Sequence, residues 1–186
     1  MPIGTLNGVA WGSLASYKGV AKANIASVNG VSVGAAETVA ISQNVAGTLR
    51  NNYSGWVGCK ITIGASNLEV TSLGRWVTAG NNQTHTIEVR NSVGAVVATA
   101  SVNTAGAPAG NFKFTNIIPV SLSAGAVYYV LSQETLGQDQ WYDFNNTVTP
   151  AATLTVNNAA WTGGTGTPSS AGSANNCGGS VSFTYV

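Results

Sequence analysis

Apolar and polar residues alternate along Thr84-His85-Thr86-Ile87-Glu88-Val89-Arg90, and again along Ser180-Val181-Ser182-Phe183-Thr184-Tyr185-Val186. A period of two puts alternate side chains on opposite faces of an extended chain, so both segments predict half-buried strands with one apolar and one polar face. Further runs rich in Val, Ile, Thr and aromatic residues predict strands over 37–43, 56–63, 68–78, 95–102, 111–117, 127–134, 140–144 and 152–156. Between them lies turn chemistry: Gly64-Ala65-Ser66-Asn67, Ala79-Gly80-Asn81-Asn82, Asn91-Ser92-Val93-Gly94, Ala107-Pro108-Ala109-Gly110 and Ser123-Ala124-Gly125. Many short strands, with turns every 8 to 12 residues or roughly so, predict an all-β fold, an antiparallel, jelly-roll-like β-sandwich over 37–186. The low-complexity stretch 163–179 reads as a long loop before the last strand.

Ahead of residue 37 the pattern is a tandem repeat. Ile3-Gly-Thr-Leu-Asn-Gly-Val-Ala, Leu14-Ala-Ser-Tyr-Lys-Gly-Val-Ala and Ile25-Ala-Ser-Val-Asn-Gly-Val-Ser recur in steps of eleven residues. An eleven-residue period also suits a right-handed coiled coil, but a glycine in every copy beside β-branched valines disfavours helix. The repeat instead predicts short strands joined by turns at Asn7-Gly8, Lys18-Gly19 and Asn29-Gly30. Three such units bury little apolar surface alone, so residues 1–36 read as an assembly arm. Trp11, Leu14, Tyr17 and Ile25 are its candidate contacts with a neighbouring subunit.

Composition narrows the class. Charged residues make up 7% of the chain, where about 25% is usual, so the polar surface must be Ser, Thr, Asn, Gln and Gly. Such a surface packs against copies of itself without stranding buried charges, which points to a homo-oligomer. With a net charge of +1 there is no electrostatic footprint for nucleic acid. No apolar run approaches the roughly 18 residues of a membrane span, so insertion in a membrane is not expected. The start, Met1-Pro2-Ile3-Gly4, lacks the basic and apolar stretches of a secretory leader. A surface-type composition with that start is expected of a virion protein, which assembles in the cytoplasm and leaves by lysis; an extracellular or cell-surface location is the alternative. Whether Cys59, in an apolar run, pairs with Cys177, in a Gly/Asn-rich loop, is left open by sequence.

Catalysis has little to build on. The single histidine, His85, has Glu88 nearby, but three positions along a strand puts the two on opposite faces. His85 is therefore expected to be a hydrogen-bonded structural residue, and the protein not an enzyme. One histidine and two distant cysteines offer no metal-ligand spacing, and no cofactor motif is present, so neither metal nor cofactor is expected. The best candidate site is 137–146, where Trp141, Tyr142 and Phe144 offer stacking faces while Asp139, Asp143, Asn145 and Asn146 offer hydrogen bonds, as a sugar site requires. In the competing reading, alternation sends Trp141 and Asp143 outward and Tyr142 and Phe144 into the core.

The residues from Val57 to Thr135 carry a family resemblance. Val57-Gly-Cys-Lys-Ile-Thr-Ile, Val70-Thr-Ser-Leu-Gly-Arg-Trp, Thr84-His-Thr-Ile-Glu-Val, Gly94-Ala-Val-Val-Ala-Thr-Ala and Phe114-Thr-Asn-Ile-Ile-Pro-Val-Ser-Leu-Ser-Ala-Gly-Ala-Val-Tyr-Tyr-Val follow in order. This series resembles the jelly-roll-type β-sandwich modules of the DUF4082 kind, found beside carbohydrate-active and surface-attached proteins. The leading repeat is similar to the Val-Asn-Gly-Val stitches of tailed-phage structural and fibre proteins. The resemblances imply fold and context, with no catalytic residue to transfer. Together with the composition they favour a non-enzymatic phage virion protein, a head decoration, tail or fibre component, whose partners are other virion proteins and its own copies. A carbohydrate-binding module or receptor-binding adhesin domain, with a cell-surface glycan as partner, is the alternative.

Overall fold

A computed structural model describes residues 36–186, together with the backbone of six two-residue strands before them. The chain divides into two compact units, Met1–Ala36 and Glu37–Val186. In the first, β1 (Thr5–Leu6) pairs with β2 (Val9–Ala10), β3 (Ser16–Tyr17) with β4 (Val20–Ala21), and β5 (Ser27–Val28) with β6 (Val31–Ser32), all antiparallel. The innermost pairs, Leu6↔Val9, Tyr17↔Val20 and Val28↔Val31, follow one another at steps of eleven residues, as the repeat predicts. The side chains of Trp11, Leu14, Tyr17 and Ile25 lie outside the described residues.

The second unit is an antiparallel β-sandwich. Its strands are β7 (Thr38–Val39), β8 (Ile41–Val45), β9 (Leu49–Arg50), β10 (Gly55–Ile63), β11 (Leu68–Trp76), β12 (Thr84–Asn91), β13 (Val96–Asn103), β14 (Phe112–Leu122), β15 (Val127–Glu134), β16 (Trp141–Tyr142), β17 (Thr147–Pro150), β18 (Leu154–Thr162), β19 (Ser169–Ala171) and β20 (Val181–Tyr185). One sheet runs β13-β12-β15-β10-β18-β19, the other β14-β11-β20-β7, and the short pairs β16-β9 and β17-β8 complete it. The connections β10–β11, β11–β12, β13–β14 and β14–β15 cross from one layer to the other, while β12–β13 and β18–β19 stay within one sheet. The core lies between the layers, with Ile61, Ile87, Val89 and Val130 from the first sheet against Val70, Leu73 and Phe183 from the second.

Several expectations are corrected. The strand expected over 37–43 breaks at Ala40, whose amide binds the Phe183 carbonyl at 2.9 Å, and the chain then leaves β20 to pair with β17. The strand expected over 152–156 runs on to Thr162 because Asn158 to Thr162 continue the pairing with β10. The loop expected over 163–179 contains β19, paired to the same strand. The polar face expected of β20 is also buried: Ser182 Oγ accepts the Ile41 amide at 3.1 Å, and Thr184 Oγ1 lies 2.6 Å from Ser72 Oγ. A strand with a neighbour on both edges and on both faces has no solvent side.

Candidate functional site

Two features concentrate the chemistry of the sandwich. The first is a buried ionic lock. Alternation on β12 puts His85 on the same inward face as Ile87 and Val89. On β11 and β15, in opposite sheets, Arg75 and Glu134 are likewise buried. The guanidinium grips the carboxylate with two bonds, Nε to Oε1 at 3.0 Å and Nη2 to Oε2 at 2.9 Å. Its other N–H groups reach Trp76 O, Asn81 Oδ1 and Gln140 O, so all five donors of the fork are used. His85 fits between two carboxylates, with Nε2 at 3.0 Å from Asp139 Oδ2, and with Nδ1 at 3.0 Å from the Gln133 carbonyl and 3.3 Å from Glu134 Oε2. Asp139 also accepts the amides of Asn82 and Gln83 and the Thr104 hydroxyl.

Each charge feels its neighbours. Burial opposes ionisation of His85, but the Glu134 and Asp139 carboxylates outweigh burial and Arg75, and its pKa rises above the usual value. Burial likewise opposes the charge on Glu134, yet Arg75 and His85 hold it below the usual carboxylate range. Asp139 is drawn down against its burial to about 2 by His85 and by the donors of Asn82, Gln83 and Thr104. Arg75, Glu134 and His85 are buried, while Asn81 and Asp139 also line a polar cavity of about 310 Å³ with Asn82, Gln83, Gln138 and Gln140. The cluster is a lock that pins Gln140 and the 81–83 turn to both sheets. Sequence reading missed it because its members are remote in the chain: Asp139 lies 54 positions from His85.

The second feature is an aromatic cleft of about 220 Å³ lined by Arg50, Tyr53, Trp141, Asp143, Phe144 and Trp161, with Val57, Ala159, Ala160 and Gly178 behind them. On its strand wall Val57 is the cross-strand partner of Trp161, and Cys59 of Ala159. On the other side β9 pairs with β16, setting Arg50 beside Trp141. The guanidinium carbon lies 5.4 Å from the centre of the Trp141 ring, while Nη1 binds Asp143 Oδ2 at 2.8 Å and Nε binds Asn52 Oδ1 at 2.8 Å. Asp143 is fixed in turn, its amide on Thr48 O and its Oδ1 on the Phe144 amide.

Of the residues singled out by sequence, the cleft gathers Trp141, Asp143 and Phe144, while Asn146 is buried with its Nδ2 on Cys177 O and Ser180 Oγ. Tyr142 is half-buried and its carbonyl accepts the Gly179 amide; Asn145 is exposed and bonded to Thr48; Asp139 belongs to the ionic lock. The alternation that sends Trp141 outward and Phe144 inward is reversed, with Trp141 buried and Phe144 exposed. Pairing here stops after two residues, and the Asn146 amide bonds Asp143 O in a turn, so strand parity does not reach Phe144. Sequence reading passed over Arg50, Tyr53 and Trp161. Trp161 alone left a signal, an aromatic residue just before the Gly-rich stretch.

Cys59 and Cys177 are buried free thiols, brought close where the Gly178 amide binds Gly58 O at 2.9 Å. Hydrogen bonding to Cys177, together with burial, pushes the Cys59 thiol well above its usual pKa. No family model matches the chain, and no curated protein matches it either.

Proposed function

We propose that the chain is a non-enzymatic structural protein of a phage virion, a head-decoration, tail or fibre component whose sandwich is held in place by the repeat arm. The observation that carries this reading is the arm itself: three hairpins in one register, eleven residues apart, in a unit separate from the sandwich. Units of that size gain stability by stacking on something else, and the partners that fit are other virion proteins and copies of the same chain. The low charge supports the same reading, and so does the burial of Arg75, Glu134 and His85, whose hydrogen bonds are spent within the cluster.

The test compares the full chain with residues 37–186. The shortened protein is expected to unfold cooperatively and to run as a monomer, while the full chain forms a defined oligomer or attaches to phage particles. Equal assembly by both, or failure of 37–186 to fold, counts against the arm as the attachment device.

A further inference from the structure

We infer that the aromatic cleft is a binding site for one neutral sugar ring. Four aromatic residues, Tyr53, Trp141, Phe144 and Trp161, meet on one concave surface. Phe144 is 53% and Trp161 38% exposed, although burial would stabilise both. Their rings supply the flat apolar faces on which the C–H side of a pyranose rests.

The polar groups fit the same ligand. Arg50 and Asp143 form a half-exposed ion pair, with side-chain exposures of 33% and 19%. Among the described residues Arg50 Nη2 has no hydrogen-bond partner, and each Asp143 oxygen, with one bond, keeps lone-pair capacity. A free N–H beside a free carboxylate lone pair matches adjacent hydroxyls, each of which both accepts and donates. Because the two charges cancel, an anionic or cationic ligand meets no uncompensated opposite charge, which selects a neutral one. The volume, about 220 Å³, is below the roughly 300 Å³ at which drug-sized pockets begin, so the cleft holds a ring rather than a chain. Little reorganisation is needed on binding, since Asn52, Thr48 and the Phe144 amide already hold Arg50 and Asp143.

The test uses the full chain on an array of neutral and acidic glycans, followed by titration with the methyl glycosides of glucose, galactose, mannose and N-acetylglucosamine. Tryptophan fluorescence and saturation-transfer NMR report binding. Saturable millimolar binding to neutral glycans is expected, with transfer strongest at ring C–H protons. Trp161→Ala should weaken it about tenfold or more, and Asp143→Asn should weaken it as well. Ile118→Ala, at an exposed strand position away from the cleft, should bind like the parent. No binding on the array, preference for acidic glycans, or binding indifferent to Trp161→Ala would each overturn the assignment. None of these outcomes bears on the virion reading, which is decided by the attachment of residues 1–36.

Discussion

At the scale of single residues the ionic lock governs how stability should depend on pH. His85 has a raised pKa in the folded chain, so the folded state holds its proton more tightly than the unfolded state does. Its contribution is therefore complete below an ordinary histidine pKa of about 6.5 and fades as pH climbs through the raised value. Asp139 behaves oppositely. Lowered from 3.8 to about 2, it contributes stability that is present above its unfolded pKa and lost as pH falls through the folded one. Urea midpoints measured from acid to mild alkali should thus decline on both sides of a plateau, and His85→Gln should flatten the alkaline limb. A profile unchanged by that substitution would show that the ring does not titrate in the lock. Removing the guanidinium is more drastic, because the Glu134 carboxylate then stays buried without its bidentate partner. Arg75→Met is expected to cost about 3–5 kcal/mol in the same measurement.

At the scale of elements the tightest constraint lies on β10, which pairs with β15 on one side and β18 on the other. A Cβ at Gly58 would run into the backbone of Val130 and Leu131 on β15. Gly58→Ala should therefore destabilise the sandwich by about 3 kcal/mol, seen as a lower thermal midpoint. The thiols beside it give a simpler check: a thiol reagent should label neither Cys59 nor Cys177 in the native chain and both after unfolding in urea. Much at this scale was legible in sequence. Strands β12 and β15 begin and end within a residue of expectation, because an alternating or apolar run bounded by turn residues identifies itself locally. The short strands β9, β17 and β19 were not legible, since two to four residues show no period and exist only through their partners. The same reason hides half of the cleft. Arg50 and Tyr53 sit in an aperiodic stretch, and what brings Arg50 to Trp141 is the long-range pairing of β9 with β16.

At the scale of the whole molecule the shortage of charge sets how the protein should associate. Four of its six acidic residues, Glu88, Glu134, Asp139 and Asp143, are already bonded to basic groups of the same chain. In the proposed assembly, contacts between copies would then rest on apolar surface, strand edges and uncharged hydrogen bonds. Sedimentation of the assembled protein should be unchanged up to about 1 M salt, where screening acts within about 3 Å, and the assembly should weaken on Trp11→Ala. Dissociation by moderate salt alone would instead place its few free charges at the interface. The placing of β20 has a consequence for how the molecule is made. This strand is the last of the sandwich to be synthesised, yet it sits between β11 and β7, so the four-stranded sheet has a gap until it arrives. Everything before it must leave the ribosome with β11 and Phe183's place in the core open to water. Folding of the sandwich must therefore wait for β20 to emerge, and it is dominated by distant pairings and correspondingly slow. A ribosome stalled just before Val181 should hold a nascent chain that proteases cut freely, whereas one stalled well beyond Tyr185 on an added linker should hold a resistant one.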